Sequence, residues 1–223
     1  MRYGTDGRVI GRRVVLLAGA TLAARQAAGA LPVPASNTQS YRLVRHGSEI
    51  GRHSLTFGRQ AGALTVHVAV DALVSLISIP IVRYTHRAVE IWQDEILVGL
   101  SGETDKNGQH EWVNARRTAE GLVVTGSKTA RYIAPANAIA TSYWDRRMVD
   151  GPMISLEDGV LLRPEVTVRR ADSIRLASGS MITADRYTLS GAFAVDVWYD
   201  RADTWAGLAF AVADGSHVTY ERL

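Results

Sequence analysis

An alternation of apolar and polar side chains constrains the fold of this chain more than any other feature. In the segment LTVHVAVD, every second residue from Leu64 to Val70 is leucine or valine, and the residues between them are mostly polar. Successive side chains of a β-strand point to opposite faces, so these apolar residues share one face. The pattern predicts a half-buried antiparallel strand.

Turn signals divide the rest of the chain into short strands. In YRLVRHGSEIGRHSLTF, residues 46–48 separate two predicted strands, and the second places Leu55 and Phe57 on one face. Dipeptides that favour positive φ angles recur at Asn107-Gly108, Glu120-Gly121, Asp158-Gly159 and Asp214-Gly215. The spacing predicts an all-β chain, built either as a single antiparallel curved sheet or as a β-barrel-like domain.

The segment ALVSLISIPIV, residues 72–82, departs from the alternation because it is apolar on both faces. It predicts either a strand covered on both sides or a chain that passes through the middle of a barrel. Pro80 argues against a regular helix, and also against a central position in a hydrogen-bonded ladder.

The segment PANAIATSYWDRRMV, residues 135–149, shows no alternation at all. Thr141 or Ser142 can cap one short helix, which would contain Tyr143, Trp144 and Met148. We therefore predict a short helix or lid segment that lies as a plug between two β-rich parts.

Two stretches of the chain resemble each other. EIWQDEILVGL begins at Glu90 and DVWYDRADTWAGL begins at Asp196, and each places a tryptophan directly after a β-branched residue. Each predicts a strand, a turn and a second strand, which is consistent with an ancient duplication or with a common hairpin pattern. In either case we predict that Trp92 and Trp198 are core anchors and do not stack on a ligand.

The amino terminus has the layout of a secretory signal peptide. Four arginines precede the apolar run from Val14 to Ala24, and small residues follow it. The run is shorter than the roughly 20 residues that span a bilayer. We predict a leader over residues 1–35, with cleavage after Ala30 or Ala35, that directs one β-rich domain (36–223) to the periplasm or the exterior. The Arg12-Arg13 pair leaves both the general secretory route and twin-arginine export open.

Charge and cysteine content limit the partners of the predicted domain. The chain has 25 basic and 22 acidic residues, but five of the basic and one of the acidic residues lie in the predicted leader. The remaining net charge of about −1 gives no overall attraction to nucleic acid. There is no cysteine, so the domain folds without disulfides. We expect no nucleic-acid partner. We also predict that the chain itself is not an integral membrane protein.

Several of these segments together resemble a known family. They are YRLVRHGSEIGRH, EIWQD, TSYWD, RYTLSG, DVWYD and the closing DGSHVTYERL. Over residues 41–223 the chain is similar to a family of exported proteobacterial proteins catalogued as a domain of unknown function. The resemblance implies a curved antiparallel sheet or barrel in the periplasm and no established activity. A second similarity, in the GxxxG that follows the first strand, is to envelope β-proteins whose curved sheets hold lipid-like molecules, an analogy of fold that carries no function by itself.

Motifs for catalysis, metal binding and nucleotide binding are missing from the sequence. The six histidines show no HExxH and no short metal-ligand spacing, and no serine lies in Gly-x-Ser-x-Gly. TGSK, residues 125–128, lacks the first glycine and the residue order of a phosphate-binding loop. The sequence therefore predicts no catalytic residue, no metal ligand and no cofactor.

The remaining candidate site joins the two irregular segments. If residues 135–149 close a cavity, Tyr143, Trp144 and Arg146 can bind a polar head group. The interior would be lined by Val74, Leu76, Ile77 and Ile79. In the alternative interpretation, Tyr143 and Trp144 seal one end of the barrel and the charged residues face water.

Three functions are consistent with these patterns. The first is a periplasmic binding or carrier protein for an apolar or amphipathic small molecule, which follows from the doubly apolar residues 72–82 in a β architecture. The second is a cell-envelope assembly or interaction protein that binds a partner protein through a sheet edge or an exposed face. The third is an enzyme with a site at one end of the barrel.

Overall fold

The computed structural model describes residues 31–76, 79–191, 193–212 and 214–223. Most of the predicted leader, residues 1–30, lies outside this part. The described chain is almost entirely β, as predicted. Its strands are β1 (Thr38–Arg45), β2 (Ser48–Gln60), β3 (Ala63–Leu76), β4 (Ile79–Gln93), β5 (Ile96–Lys106), β6 (Gln109–Thr118), β7 (Gly121–Gly126), β8 (Thr129–Ala134), β9 (Ile139–Ala140), β10 (Met153–Ile154), β11 (Leu161–Leu162), β12 (Glu165–Arg175), β13 (Met181–Ser190), β14 (Val195–Tyr199), β15 (Trp205–Ala211) and β16 (His217–Arg222).

Thirteen strands form one antiparallel sheet in the order β12-β13-β14-β15-β16-β1-β2-β3-β4-β5-β6-β7-β8. The first strand, β1, pairs with the last, β16, through the register Tyr41↔Arg222 to Arg45↔Val218. Strands β8 and β12 are the two edges, and the sheet does not close into a barrel. The prediction of a single antiparallel curved sheet is confirmed.

This topology forces one segment to cross the sheet. Strands β8 and β12 are consecutive among the strands of this sheet but lie at its opposite edges, so residues 135–164, here called the crossing segment, must pass over one face. The segment carries β9, β10 and β11, which form a small second sheet. Its buried residues join the main hydrophobic core, together with residues from both halves of the large sheet. The plug predicted for residues 135–149 is therefore present.

The period-two pattern in β3 is confirmed. Leu64, Val66, Val68 and Val70 are all buried, and so are Leu55 and Phe57 on the neighbouring strand β2. The turn between β1 and β2 uses His46 and Gly47, both with positive φ angles. The apolar face of these strands is the face that the crossing segment covers.

The prediction for residues 72–82 was wrong for the part that the structure describes. Residues 72–76 and 79–82 neither pass through a barrel nor form a strand covered on both sides, because they pair with each other at the far end of the β3–β4 hairpin. Strand β2 pairs with β3 only as far as Ala72, and β5 pairs with β4 only from Tyr84 onwards. Leu73 and Val82 are 44% and 42% exposed.

Pro80 nevertheless lies in a ladder, opposite Ser75 at a bulge. Strand β5 does not reach Pro80, so the missing N–H leaves no carbonyl acceptor of β5 without a donor.

A buried carboxylate joins the crossing segment to the sheet. Glu90 of β4 is fully buried, and its Oε2 accepts hydrogen bonds from Trp92 Nε1 at 2.8 Å and Trp144 Nε1 at 3.1 Å. The two indole rings meet edge to face with centroids 5.4 Å apart. Phe57 packs against Trp144 in the same manner at 5.3 Å. Trp144, which is 0% exposed, is therefore held by both packing and a polar contact.

The short helix of the crossing segment begins later than the sequence predicted. It is a 3₁₀ helix, η1, over Arg146–Asp150, and its cap is Asp145, whose side chain accepts a hydrogen bond from Arg147 N at 3.0 Å. Thr141 and Ser142 do not cap it, and Tyr143 and Trp144 precede it. The Asp145 carboxylate also binds the Arg147 guanidinium, with 2.7 Å between Oδ2 and Nη2, and this double role explains why the helix begins there.

Two glycines allow the crossing segment to lie directly on the sheet. A Cβ atom at Gly102 of β5 would overlap the carbonyl oxygen of Leu156, and one at Gly126 of β7 would overlap that of Asp158. Close approach of two backbones is a common reason for glycine inside a strand. The positions therefore define where residues 156–158 dock.

The two similar stretches both form hairpins with a bulge at the tryptophan, between Ile91 and Trp92 and between Trp198 and Tyr199. Both tryptophans are buried, as predicted. Trp92 belongs to the main core, whereas Trp198 packs on the opposite face against Ile174 and Ala206. The two copies therefore share a hairpin pattern but do not occupy equivalent places.

Replacing Glu90 tests the attachment of the crossing segment. In Glu90→Leu, two buried indole N–H groups lose their acceptor, so we expect the free energy of unfolding to fall by about 2–4 kcal/mol. Glu90→Gln keeps a carbonyl oxygen that can accept both bonds and should lose clearly less. Urea denaturation measures both variants, and a Glu90→Leu protein as stable as Glu90→Gln would contradict this role.

Candidate functional site

A cavity of about 630 Å³ lies between the sheet and the crossing segment. It occupies one end of the covered face, toward the far end of the β3–β4 hairpin, while Trp92 and Trp144 fill the other end. Strands β1 to β4 and β14 to β16 supply most of its wall. The described lining residues are Leu43, Ile50, His53, Val68, Val70, Ala72, Val82, Tyr84, His86, Thr141, Tyr143, Ser155, Leu156, Glu157, Asp158, Val160, Leu162, Phe193, Ala194, Val195, Leu208, Phe210, Val212, Val218 and Tyr220.

Strand alternation explains why the wall is mainly apolar. On β3, the cavity-facing positions continue the core face beyond Val66, as Val68, Val70 and Ala72. On β15 and just after it, the wall is made by Leu208, Phe210 and Val212, the residues that alternate with alanines in the sequence. The same half-buried strands therefore form the core at one end and the cavity at the other.

A cluster of aromatic residues forms one side of the wall and includes its tyrosine and histidine side chains. Trp205 lies at its centre, with ring centroids 5.4 Å from Tyr143, 5.1 Å from His53 and 6.0 Å from Tyr220. Tyr143 has a positive φ of 66°, and its carbonyl oxygen accepts a hydrogen bond from Tyr199 Oη at 2.8 Å. This hydrogen bond fixes the backbone of Tyr143, and the Tyr143 ring stacks on Trp205 at the cavity.

Three polar groups of this cluster have no partner in the part of the chain that the structure describes. Both ring nitrogens of His53 are buried without a hydrogen bond. The hydroxyl groups of Tyr143 and Tyr220 also make none there, although both residues line the cavity. The two hydroxyl groups are therefore candidates for pairing with a bound molecule, whereas the His53 nitrogens are enclosed by the protein and do not reach the cavity.

A chain of polar contacts leads from the cavity to the surface. Tyr84 Oη donates to Glu157 Oε1 at 2.8 Å, and Lys106 Nζ donates to Glu157 Oε2 at 2.5 Å. Lys106 also pairs with Glu111 at 3.4 Å, and Glu111 pairs in turn with the more exposed Lys128. Both oxygens of the Glu157 carboxylate are thus engaged by this chain's own residues.

Burial keeps the two cavity histidines neutral. Loss of solvent, and secondarily the neighbouring His86, lowers the pKa of His53 to about 3. Loss of solvent likewise lowers the pKa of His86 to about 4, although Glu157 opposes the shift. His86 Nδ1 lies 2.8 Å from Thr104 Oγ1. At neutral pH each imidazole therefore offers one N–H donor and one acceptor.

The tyrosines of the cavity are likewise held in their neutral form. Burial, and then the Glu157 carboxylate, raises the pKa of both Tyr84 and Tyr143 above the ordinary value for a phenol. Burial, followed by Tyr143 and Glu157, does the same for Tyr220. The hydroxyls of Tyr143 and Tyr220 are therefore hydrogen-bond donors over the whole physiological pH range.

The residues predicted as a binding site are separated in the structure. Tyr143 lines the cavity. Trp144 instead lies in the core against Glu90, and Arg146 lies outside the cavity, where it pairs with Asp150 and Asp203. Val74, Leu76 and Ile79 lie in the far end of the β3–β4 hairpin, and Ile77 lies outside the described residues.

The sequence reasoning missed His53, Tyr84, His86, Glu157 and Tyr220. One signal was available in YTHRAVEIW, where Tyr84, His86 and Glu90 share a strand face with Trp92. Since the opposite face contains Val89 and Ile91, apolar content alone did not identify the buried side. Ile91 is in fact exposed, whereas Glu90 is buried.

The described residues contain neither a metal site nor a membrane-spanning helix. Among the described residues, no group of three or more histidine, aspartate or glutamate side chains is arranged to hold a metal ion. Within the same ranges, no helix has both the length and the apolar character needed to cross a membrane.

Fold and cavity together define a class of protein, an open antiparallel β-sheet that curves around a crossing segment and an apolar cavity. Residues 41–223 match the family model described as domain of unknown function (DUF6134). The chain belongs to this family, which confirms the resemblance found in the sequence.

One solved structure has a similar fold. It is the β-barrel-like protein of domain of unknown function DUF1849 from Brucella abortus, with a TM-score of 0.57 and 11% sequence identity, over 83% of this chain and 94% of the other. At this identity the likeness concerns the fold alone. No curated protein matches the chain.

The buried histidines predict an acid-sensitive fold. Between about pH 6.5 and pH 4 the unfolded chain binds protons on these residues that the folded chain does not. Acid should therefore lower the free energy of unfolding, at most by about 1.4 kcal/mol per pH unit for each histidine. Burial raises the pKa of Glu90, which gives the opposite trend, so variants must be compared with the wild type.

His53→Phe should reduce this acid sensitivity, because phenylalanine keeps the aromatic packing and cannot be protonated. The measurement is urea denaturation at pH values from 4 to 7. His67→Gln, on the exposed face of β3, is the matched control and should follow the wild type. Equal acid sensitivity of His53→Phe and wild type would refute the role of His53.

Proposed function

We propose that the protein is a periplasmic binding or carrier protein for an apolar or amphipathic small molecule. The observation that carries the proposal is the apolar cavity with unpaired polar groups at one side. Its volume of about 630 Å³ lies within the range of roughly 300–1,000 Å³ that is usual for small-molecule sites. Mainly apolar walls with a few convergent polar groups are also usual for such sites.

The construction of the wall supports a binding role. The wall combines a rigid antiparallel sheet with a crossing segment that is fixed through Glu90, Trp144 and the 3₁₀ helix. Sites on a rigid scaffold lose little conformational freedom when a ligand binds. The cavity is therefore suited to hold a molecule without folding around it.

The alternative of an assembly protein has weaker support. Binding a partner strand at a sheet edge needs a regular edge with free backbone groups. Edge strand β12 has a bulge between Arg169 and Asp172, and Ala171 there has a positive φ of 52°. Arg169 and Arg170 lie on the same strand. Bulges and charged side chains are the features by which proteins prevent edge pairing.

Packing at the start of the described chain supports one of the two predicted cleavage sites. Leu31 is buried in the main core, and Val33 packs against it. Cleavage after Ala35 would remove both side chains, whereas cleavage after Ala30 would keep them. We therefore propose that the mature protein begins at Leu31.

The amino-terminal sequence of the protein recovered from the periplasm of its native host tests this site. We expect intact-mass analysis to give the mass of residues 31–223. A chain that begins at Ser36 would contradict the choice of Ala30. A chain that retains its first residues and stays in the cytoplasm would contradict export itself.

A block of the cavity tests the binding role. Ala72→Trp adds a large side chain on the cavity side of β3, so we expect it to abolish uptake of the neutral fluorescent probe N-phenyl-1-naphthylamine. Ala69→Trp makes the same change on the opposite face of the same strand and should leave uptake unchanged. Fluorescence titration measures both. A wild type that takes up no probe, and carries no organic molecule in native mass spectrometry after gentle release, would refute the proposal.

A further inference from the structure

The charge of the cavity wall restricts the chemistry of a bound molecule. Among the described lining residues there is no lysine and no arginine, whereas Glu157 and Asp158 are both present. The two histidines of the wall are neutral. A carboxylate or phosphate on the ligand would therefore lose its hydration without gaining a cationic partner, and the burial of an unpaired charge is strongly unfavourable.

A cationic head group is poorly matched for a different reason. The Glu157 carboxylate already binds Tyr84 Oη and Lys106 Nζ through its two oxygens. Asp158 Oδ1 accepts a hydrogen bond from Val160 N at 3.2 Å. At Glu157, an entering ammonium group would have to displace Lys106 or lie beside it, and like charges at that distance repel.

The unpaired groups of the wall fit an uncharged oxygen. Tyr143 and Tyr220 present phenol hydroxyls at the cavity wall, and neither hydroxyl has a partner among the residues described. The ring nitrogens of His53 are enclosed by the protein and do not reach the cavity. A carbonyl or hydroxyl oxygen at these phenols would accept hydrogen bonds that the chain itself does not use.

We infer that the ligand is an uncharged apolar molecule with a ketone or alcohol oxygen, held by the hydroxyls of Tyr143 and Tyr220. This inference rests on the proposed binding function. The hydrocarbon part lies along Val68, Val70 and Leu208, and the oxygen lies at the aromatic cluster around Trp205. Selection against fatty acids follows from the absence of a cation among the described wall residues.

Five compounds that share a ten-carbon chain separate the classes of ligand at pH 8. They are decan-2-one, decan-1-ol, decanoate, decyltrimethylammonium and decane, each measured by displacement of N-phenyl-1-naphthylamine from the protein as recovered from its host. We expect the ketone and the alcohol to bind at least about ten-fold more tightly than decanoate, because an unpaired carboxylate must be desolvated.

Substitution of the phenols tests the contact itself. In Tyr143→Phe and Tyr220→Phe, the affinity for decan-2-one should fall by roughly three- to ten-fold, the usual effect of one lost hydrogen bond. The affinity for decane, which has no oxygen, should stay the same in both variants. Tyr187→Phe, in the core but outside the cavity wall, is the control and should not change the affinity for either compound.

The outcomes distinguish this inference from the proposed function. If decanoate or decyltrimethylammonium binds as tightly as the ketone, the inference is wrong and the binding function stands. The same conclusion follows if the phenylalanine variants weaken decane and decan-2-one equally. If neither the probe nor any of the compounds binds, the binding function fails and the inference fails with it.

Discussion

The hydrogen bonds from Trp92 and Trp144 to the buried Glu90 carboxylate are the interaction on which the rest of the structure depends. They join β4, in the middle of one half of the sheet, to the segment that crosses from one edge to the other. A buried carboxylate is unfavourable by itself, and the two indole donors offset its desolvation only in part, because burial still raises the pKa of Glu90. Arg147 adds a second contact, with its guanidinium 5.5 Å from the Trp92 ring centroid. Since the crossing segment supplies Tyr143 and Glu157 to the cavity, the shape of the site depends on this attachment.

The topology explains how an open sheet encloses a cavity. The first and last strands in sequence, β1 and β16, pair with each other. The remaining strands of the large sheet therefore extend outward from this pair in both directions. The two edges are then connected by the crossing segment, which must fill the space that the curved sheet leaves. At one end large side chains such as Trp144 and Met148 occupy it and are fully buried. At the other end the segment runs through smaller residues, among them Thr141 and Ser155, and the cavity remains.

The sequence was sufficient for the strands but not for the site. Alternation and turn dipeptides depend on neighbouring residues, so β1 to β3 could be predicted directly. The site combines Tyr84, Tyr143 and Tyr220, which are far apart in sequence, and only the pairing of strands and the path of the crossing segment bring them together. Of the predicted binding residues with a described side chain, Tyr143 lies at the cavity. Trp144, its immediate neighbour, lies in the core against Glu90, because the chain turns at Tyr143, which has a positive φ angle.

The apolar run at residues 72–82 shows why composition misled the interpretation. Apolar residues on both faces predict burial on both sides only if neighbours cover both sides. Here the hairpin extends past β2 and β5, and its exposed Leu73 and Val82 are the consequence. Buried polar residues carry more information. Glu90 accepts both indole hydrogen bonds through Oε2 and so belongs to the architecture, although its Oε1 has no partner among the described residues. The two donors come from β4 and from the crossing segment, so this one buried carboxylate indicates which face of β4 the crossing segment covers.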